Sequence, residues 1–303
     1  MKLILTIAAF VSITVAAGAA VFSTNLPDKD AFVRSLAPTF NYGGGGALSV
    51  SGANATISNP TNGAFDSFVS LNSAAMVASF NSAFGTGNWV ITSATLNLII
   101  NGLPGSPLFN LGSGSFAIRW IANDTWVEGT GIPMTPTMNG VTYNTEPNYL
   151  NAGTDTNLGA FTFSVGATNI ICPLSLPTAF VTNLQAGGEV SLFLTAIDPS
   201  VGFVFYSRQY MGTTHPTLVV SAAAPPGITN VSLSGTNVVL SATNGVAGGT
   251  YHVLTSTNLG TPPSQWTPLT TNVLASKGNF VITVTNAANT NAHAPQFFIL
   301  QTQ

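Results

Sequence analysis

Residues 92–100 read Thr92-Ser93-Ala94-Thr95-Leu96-Asn97-Leu98-Ile99-Ile100, and along part of that run apolar and polar side chains alternate with a period of two. That period belongs to a half-buried β-strand, because successive side chains of a strand point to opposite faces. Working outward, β-branched and aromatic runs separated by glycine and proline predict further strands. They fall at 31–35, 47–51, 67–71, 114–121, 160–164, 190–197, 203–207 and 217–221. One short helix is predicted in this part of the chain, over 177–186, stopped by Gly187-Gly188. Residues 222–227, Ala-Ala-Ala-Pro-Pro-Gly, read as a linker. Six shorter strands follow, at 228–232, 237–242, 249–256, 266–270, 279–285 and 297–301. Their spacing suits a small sandwich of the immunoglobulin or fibronectin kind. The expected fold class is therefore all-β.

The first residues, Met1 to Ser23, carry one cation (Lys2), an uncharged apolar run from Leu3 to Val15, and the small-residue pattern Ala17-Gly18-Ala19. This is the layout of a cleaved secretory signal peptide, assigned to residues 1–20. The run is short for a membrane span, and no basic stop-transfer patch follows it. The mature chain is expected outside the cell or on its surface.

Of 303 residues, 6 are Lys or Arg and 9 are Asp or Glu, with a formal net charge of −3. Globular chains carry about a quarter charged residues, so Asn, Thr, Ser and backbone amides must solvate this surface. No basic patch exists for nucleic acid. Cys172 is the single cysteine, which excludes an intramolecular disulfide, and its place in Ile170-Ile171-Cys172-Pro173-Leu174 suits a buried small hydrophobe.

Four segments in order resemble the DNRLRE (disaggregatase-related) modules. Asp30 to Ser35, followed by Asn41-Tyr42-Gly43 and Leu48-Ser49-Val50, is similar to the family's opening. Ile91 to Leu96 is similar to an inner strand. Asp124-Thr125-Trp126-Val127-Glu128-Gly129, with Gly140 to Pro147, resembles the tryptophan and glutamate segment. Phe205 to Gln209, with His215 to Val220, resembles the closing segment. Tyr143 stands where the family usually has Trp, Gln209 where it has Glu, and an Arg-rich strand is missing from 62–84. The missing basic residues are those that would pair with uronate carboxylates. The resemblance implies a secreted jelly-roll β-sandwich over 21–221, of a type often joined to polysaccharide-degrading enzymes and in part classed as carbohydrate-binding. The stretch 251–280 resembles a small module found at the C-termini of secreted bacterial proteins, with which no activity comes. The domains expected are thus a jelly-roll module at 21–221, a linker at 222–227 and a C-terminal β-sandwich at 228–303.

Candidate chemistry is sparse. Asp124 and Glu128, near Glu146, are the acids that a glycan hydrolase could pair, but residues of this kind also hold loop amides and cap turns. No G-x-S-x-G elbow occurs, and His215, His252 and His293 are scattered. No catalytic residue is assigned. Sugar binding needs aromatic faces and planar polar groups. Tyr42, Tyr143, Tyr149 and Tyr210 adjoin Gly, Asn or Pro and are expected at loop edges with one face free, whereas the four tryptophans are expected in cores. Arg34 and Arg208 either form one polar site or pair with acids such as Asp30 and Asp198. The ligand-binding candidates are Arg34, Tyr42, Tyr143, Tyr149, Arg208 and Tyr210. No cofactor is expected. Asp28, Asp30 and Asp124 are the carboxylates a structural calcium ion would use, although no 12-residue calcium loop is present. Gly43 to Gly46 reads as a flexible turn between strands. The expected function is a non-catalytic polysaccharide-binding or matrix module. The alternatives are a self-assembling surface or adhesin subunit and, behind it, a polysaccharide lyase or hydrolase.

Overall fold

The computed structural model describes residues 20–55, 63–101, 112–245, 248–276, 278–288 and 295–302. The signal-peptide assignment lies outside the described residues. The chain is all-β with two short helices, and it divides into two compact units. One comprises residues 21–83 and 93–222; the other comprises residues 84–92 and 223–303 among those described.

In the larger unit the strands are β1 (Val21–Asn25), β2 (Pro27–Arg34), β3 (Ala47–Ser51), β4 (Phe65–Asn72), β5 (Val90–Ile99), β6 (Gly114–Ile121), β7 (Thr156–Phe163), β8 (Asn169–Leu174), β9 (Glu189–Ala196), β10 (Gly202–Tyr206) and β11 (Thr217–Ala223). They form the two antiparallel sheets of a β-sandwich. The smaller sheet has the order β1-β11-β5-β8. The larger runs β10-β3-β4-β9-β6-β7, with β2 also paired to β4. The alternation that opened the sequence analysis has its physical cause here. Ala94, Leu96 and Leu98 of β5 are buried, as are their register partners Leu174, Cys172 and Ile170 of β8. The larger sheet curls, so that Phe203 of β10 stands 4.9 Å from both Phe116 of β6 and Phe163 of β7.

Strand β4 is buried along both faces, a pattern that no alternation announces. One face meets the inter-sheet core through Val69 and Leu71. The other, carrying Asp66, Phe68 and Ser70, lies under the long connection from residue 122 to residue 155. Helix α1 (Ala74–Phe84) is an element that the sequence reading did not find. The Oδ1 of Asn72 accepts from the Ala74 N–H at its start, and Met76 and Phe80, four residues apart, are buried. Its Ala- and Ser-rich sequence has no charged terminal turn to mark it. Helix α2 (Thr178–Ala186) ends at Gly187 with φ 74°, the left-handed geometry glycine adopts without penalty. Strands β1 and β8 also went unpredicted.

The smaller unit holds β12 (Gly227–Ser234), β13 (Asn237–Gly245), β14 (Thr250–Ser256), β15 (Thr267–Val273), β16 (Gly278–Val284) and β17 (Phe297–Thr302), in two three-stranded antiparallel sheets, β12-β13-β16 and β15-β14-β17. Val238, Leu240, Tyr251, Val253, Ile282 and Val284 fill its core. Trp266 is buried as expected, and its Nε1 donates to the Thr261 carbonyl at 2.7 Å. No helix among the described residues is long and apolar enough to cross a membrane.

Candidate binding site

The polar groups of the larger unit gather where the 122–155 connection folds over the larger sheet. Trp126 anchors that connection. Its ring packs 5.4 Å from Phe68, and its Nε1 donates to Ser191 Oγ at 3.0 Å. The Lys29 ammonium sits 4.5 Å over the same ring, donates to the Asp124 and Trp126 carbonyls, and pairs with Glu189 at 2.5 Å. Buried Asn41 fastens the next stretch. Its Nδ2 donates to the carbonyls of Glu128 and Val141, and its Oδ1 accepts from the Gly43 and Gly131 N–H groups.

The tetraglycine lies between β2 and β3, as expected, and its first two glycines have a packing role besides. A Cβ on Gly43 would lie 1.8 Å from the Glu128 carbonyl oxygen, and one on Gly44 2.6 Å from that of Thr130. These glycines are required because two backbones approach closely.

Glu128 sits at the centre of a network. Its Oε1 accepts from the Asp30 N–H (2.7 Å), Arg208 Nε (2.7 Å) and Gln209 Nε2 (2.6 Å), and its Oε2 accepts from Arg208 Nη2 (2.7 Å). The bidentate Arg208–Glu128 pair is charge-assisted on both arms, and these bonds raise the Arg208 pKa further. Asp30 is fully buried. Its Oδ2 accepts from the Arg208 N–H at 2.7 Å, while its Oδ1 has no hydrogen-bond partner in the structure; the same holds for Gln209 Oε1. Burial raises the Asp30 pKa to about 7. The Arg208 N–H opposes that rise and the nearby Glu128 charge adds to it.

A second acid cluster lies on the same covered face. Burial raises Asp66 to about 6 against a hydrogen bond from Thr195, and raises Glu146 to about 8 with help from the charge of Asp66. Tyr143 beside them is shifted up by burial and by both acids. Asp124 is raised by burial.

The six sequence candidates meet different fates. Tyr42 is buried rather than at a loop edge; it stacks on Phe32 at 4.6 Å with the rings 5° from parallel. Tyr143 and Tyr149 pack half-buried against the Phe68–Trp126 core, Tyr149 edge-on to Phe68 at 6.4 Å. Their position is thus structural. Arg34 lies 5.3 Å over the Phe65 ring. Arg208 pairs with Glu128, neither of the acids anticipated for it, although its backbone N–H bonds Asp30. The backbone amide that Glu128 holds is that of Asp30 in strand β2, where the plainer reading expected a loop amide, and Glu146 neighbours Asp66 instead of Glu128. Among the described residues, no group of three or more His, Cys, Asp or Glu could hold a metal ion.

Tyr210 is half-buried, as Tyr143 and Tyr149 are, and so is Tyr206. Tyr210 stacks with Tyr206, the rings 4.1 Å apart and tilted by 36°. Tyr206 was not among the sequence candidates, although it falls inside the strand predicted over 203–207 and ends β10. Hydrogen bonds brace the start of the 207–212 turn that carries Tyr210. Ser207 Oγ donates to the Gly45 carbonyl at 2.6 Å and accepts from the Gln209 N–H at 3.1 Å, and His215 Nδ1 bonds the Ser207 carbonyl at 3.1 Å. A Cβ on Gly212 would fall 2.4 Å from Cε1 of the Tyr210 ring, so a glycine is needed there; Met211, between the two in the chain, is fully exposed.

Compared with known proteins, the chain matches no protein-family model and no curated protein.

Proposed function

We propose that the protein is a secreted, non-catalytic module that binds polysaccharide, acting outside the cell or at its surface, with a DNRLRE-like jelly-roll module at 21–221. The observation that carries this reading is the half-buried Tyr206–Tyr210 pair, two neighbouring phenol rings of the kind that packs against the C–H face of a pyranose. The remaining chemistry supports binding over turnover. Glu128 already accepts four hydrogen bonds, which leaves it a poor base. Tyr143, whose pKa is raised, is harder to deprotonate than a free tyrosine. Cys172 is buried and its thiol is pushed up to about 12. A lyase or hydrolase reading would need turnover that disappears on changing Glu128 or Tyr143. The test of the binding reading is a broad glycan array probed with residues 21–303, with and without calcium. Binding to at least one glycan class is expected; silence across the array would sink the proposal.

A structural surface or adhesin subunit is the second reading. Strands β1, β5, β8 and β11 contain no Asp, Glu, Lys or Arg, so the whole smaller sheet lacks the charges that usually block strand-edge pairing. Light scattering that rises with concentration would favour it, and a persistent monomer would oppose it.

A further inference from the structure

We infer that the ligand of the Tyr206–Tyr210 surface is a neutral polysaccharide and not a uronate- or sulfate-bearing one. This rests on the glycan-binding reading above and narrows its chemical class. An anionic polymer needs cations that can leave their present partners at little cost. Every cation among the described residues is already engaged. Lys29 pairs with Glu189 at 2.5 Å and donates to two carbonyls. Arg119 Nη2 faces Asp155 at 3.9 Å. Arg34 lies over Phe65. Arg208, the cation nearest the tyrosine pair in the chain, gives Nε and Nη2 to Glu128 at 2.7 Å each.

Freeing Arg208 for a carboxylate would strand Glu128, whose Oε1 also supports the Asp30 and Gln209 donors. Breaking a partly buried ion pair costs more than a solvent-exposed one returns. Asp28 and Asp30 also act on Arg208 electrostatically. The acids around Arg208 therefore leave the turn no net positive charge with which to attract a polyanion. What the site does offer is uncharged: two half-buried phenol rings, whose side chains bond each other, and the fully exposed Met211 side chain next to Tyr210 in the chain. In this arrangement Arg208 is a positioning residue that braces the turn carrying the rings.

The experiment is affinity electrophoresis of residues 21–303 in gels cast with hydroxyethylcellulose, mixed-linkage β-glucan and arabinoxylan, beside gels cast with alginate and polygalacturonate. Each is run at roughly 50 and 500 mM NaCl, which takes screening from weak to nearly complete. Retardation in at least one neutral gel is expected, changing less than about twofold with salt, and weakened about tenfold or more in Tyr210→Ala and in Tyr206→Ala. Retardation only in the acidic gels, falling with salt, overturns the neutral class and leaves glycan binding standing. Neutral retardation that is unchanged in both tyrosine variants overturns the placement of the site. No retardation in any gel overturns the glycan reading itself. The polymer and salt arms need only the wild-type chain, so they decide the class even if a tyrosine variant folds poorly.

Discussion

Asp30 makes the stability of this protein fall as pH rises, and Asn in its place removes that fall. In the unfolded chain the carboxyl titrates near its ordinary 3.8, whereas in the fold burial lifts it to about 7. Between those values the native state holds a proton that the unfolded state has released. Stability therefore declines with increasing pH over that window and is flat above it. At about 1.36 kcal/mol per tenfold change in proton affinity, the group costs about 4 kcal/mol at pH 8 relative to pH 3. The residue is 0% exposed, so solvent screening does not discount that figure. Asn matches the neutral acid in shape. Its Oδ1 can accept from the Arg208 N–H as Asp30 Oδ2 does, and its amide adds a donor among orphaned acceptors. Urea unfolding followed by tryptophan fluorescence at pH 4, 6 and 8 measures the effect. Asp66 and Glu146 contribute a fall of the same sign in both proteins, so the difference between the two curves isolates Asp30. Asp30→Asn should be close to wild type at pH 4 and more stable by several kcal/mol at pH 8. Parallel curves across the range would mean that Asp30 is ionised in the fold and would refute the reasoning.

Removing the Glu128 carboxylate with Glu128→Ala strands the Asp30 N–H, Arg208 and Gln209 together; because Arg208 is 37% exposed, we expect a loss of about 2–3 kcal/mol in urea unfolding rather than the full cost of a buried charge. Tyr42→Ala should cost about 3–5 kcal/mol through the cavity left against Phe32, seen as a lowered Tm, and any loss of glycan retention should disappear when the variant is assayed well below that Tm. Cys172 should react with a thiol reagent such as Ellman's only after denaturation, because the thiol is buried and its pKa is about 12; fast labelling of the native protein at pH 8 would contradict its placement between the sheets.

Much of the framework was readable from residue order. The alternation in β5, the glycine and proline punctuation, the Gly187 stop of α2 and the regular spacing after residue 227 each reflect a local rule, and each strand predicted there is present. Helix α1 was not readable, since Ala74 to Phe84 carries neither a charged turn nor a strong apolar stripe and is held by burying Met76 and Phe80 against the rest of the unit. The tyrosines show the same limit at the level of the site. Tyr42, Tyr143, Tyr149 and Tyr210 look alike in sequence, each beside turn-forming residues. Phe32 takes Tyr42 into the core, the Phe68–Trp126 cluster takes Tyr143 and Tyr149, and Tyr210 pairs instead with Tyr206.

The sequence by itself determined the class of structure and the poverty of its chemistry. Period-two patterning is a property of neighbouring residues, and a chain with so few ionisable groups and one cysteine has few reactions open to it. Tertiary structure alone decided how those few groups are spent. Glu128 and Arg208 are 80 residues apart, Asp30 lies almost a hundred from Glu128, and Gly43 and Gly44 are needed because distant carbonyls occupy the space a Cβ would take. Pairing across such separations depends on which strands the folded sheets bring together, and that is a property of the whole chain's packing that no local run of residues encodes.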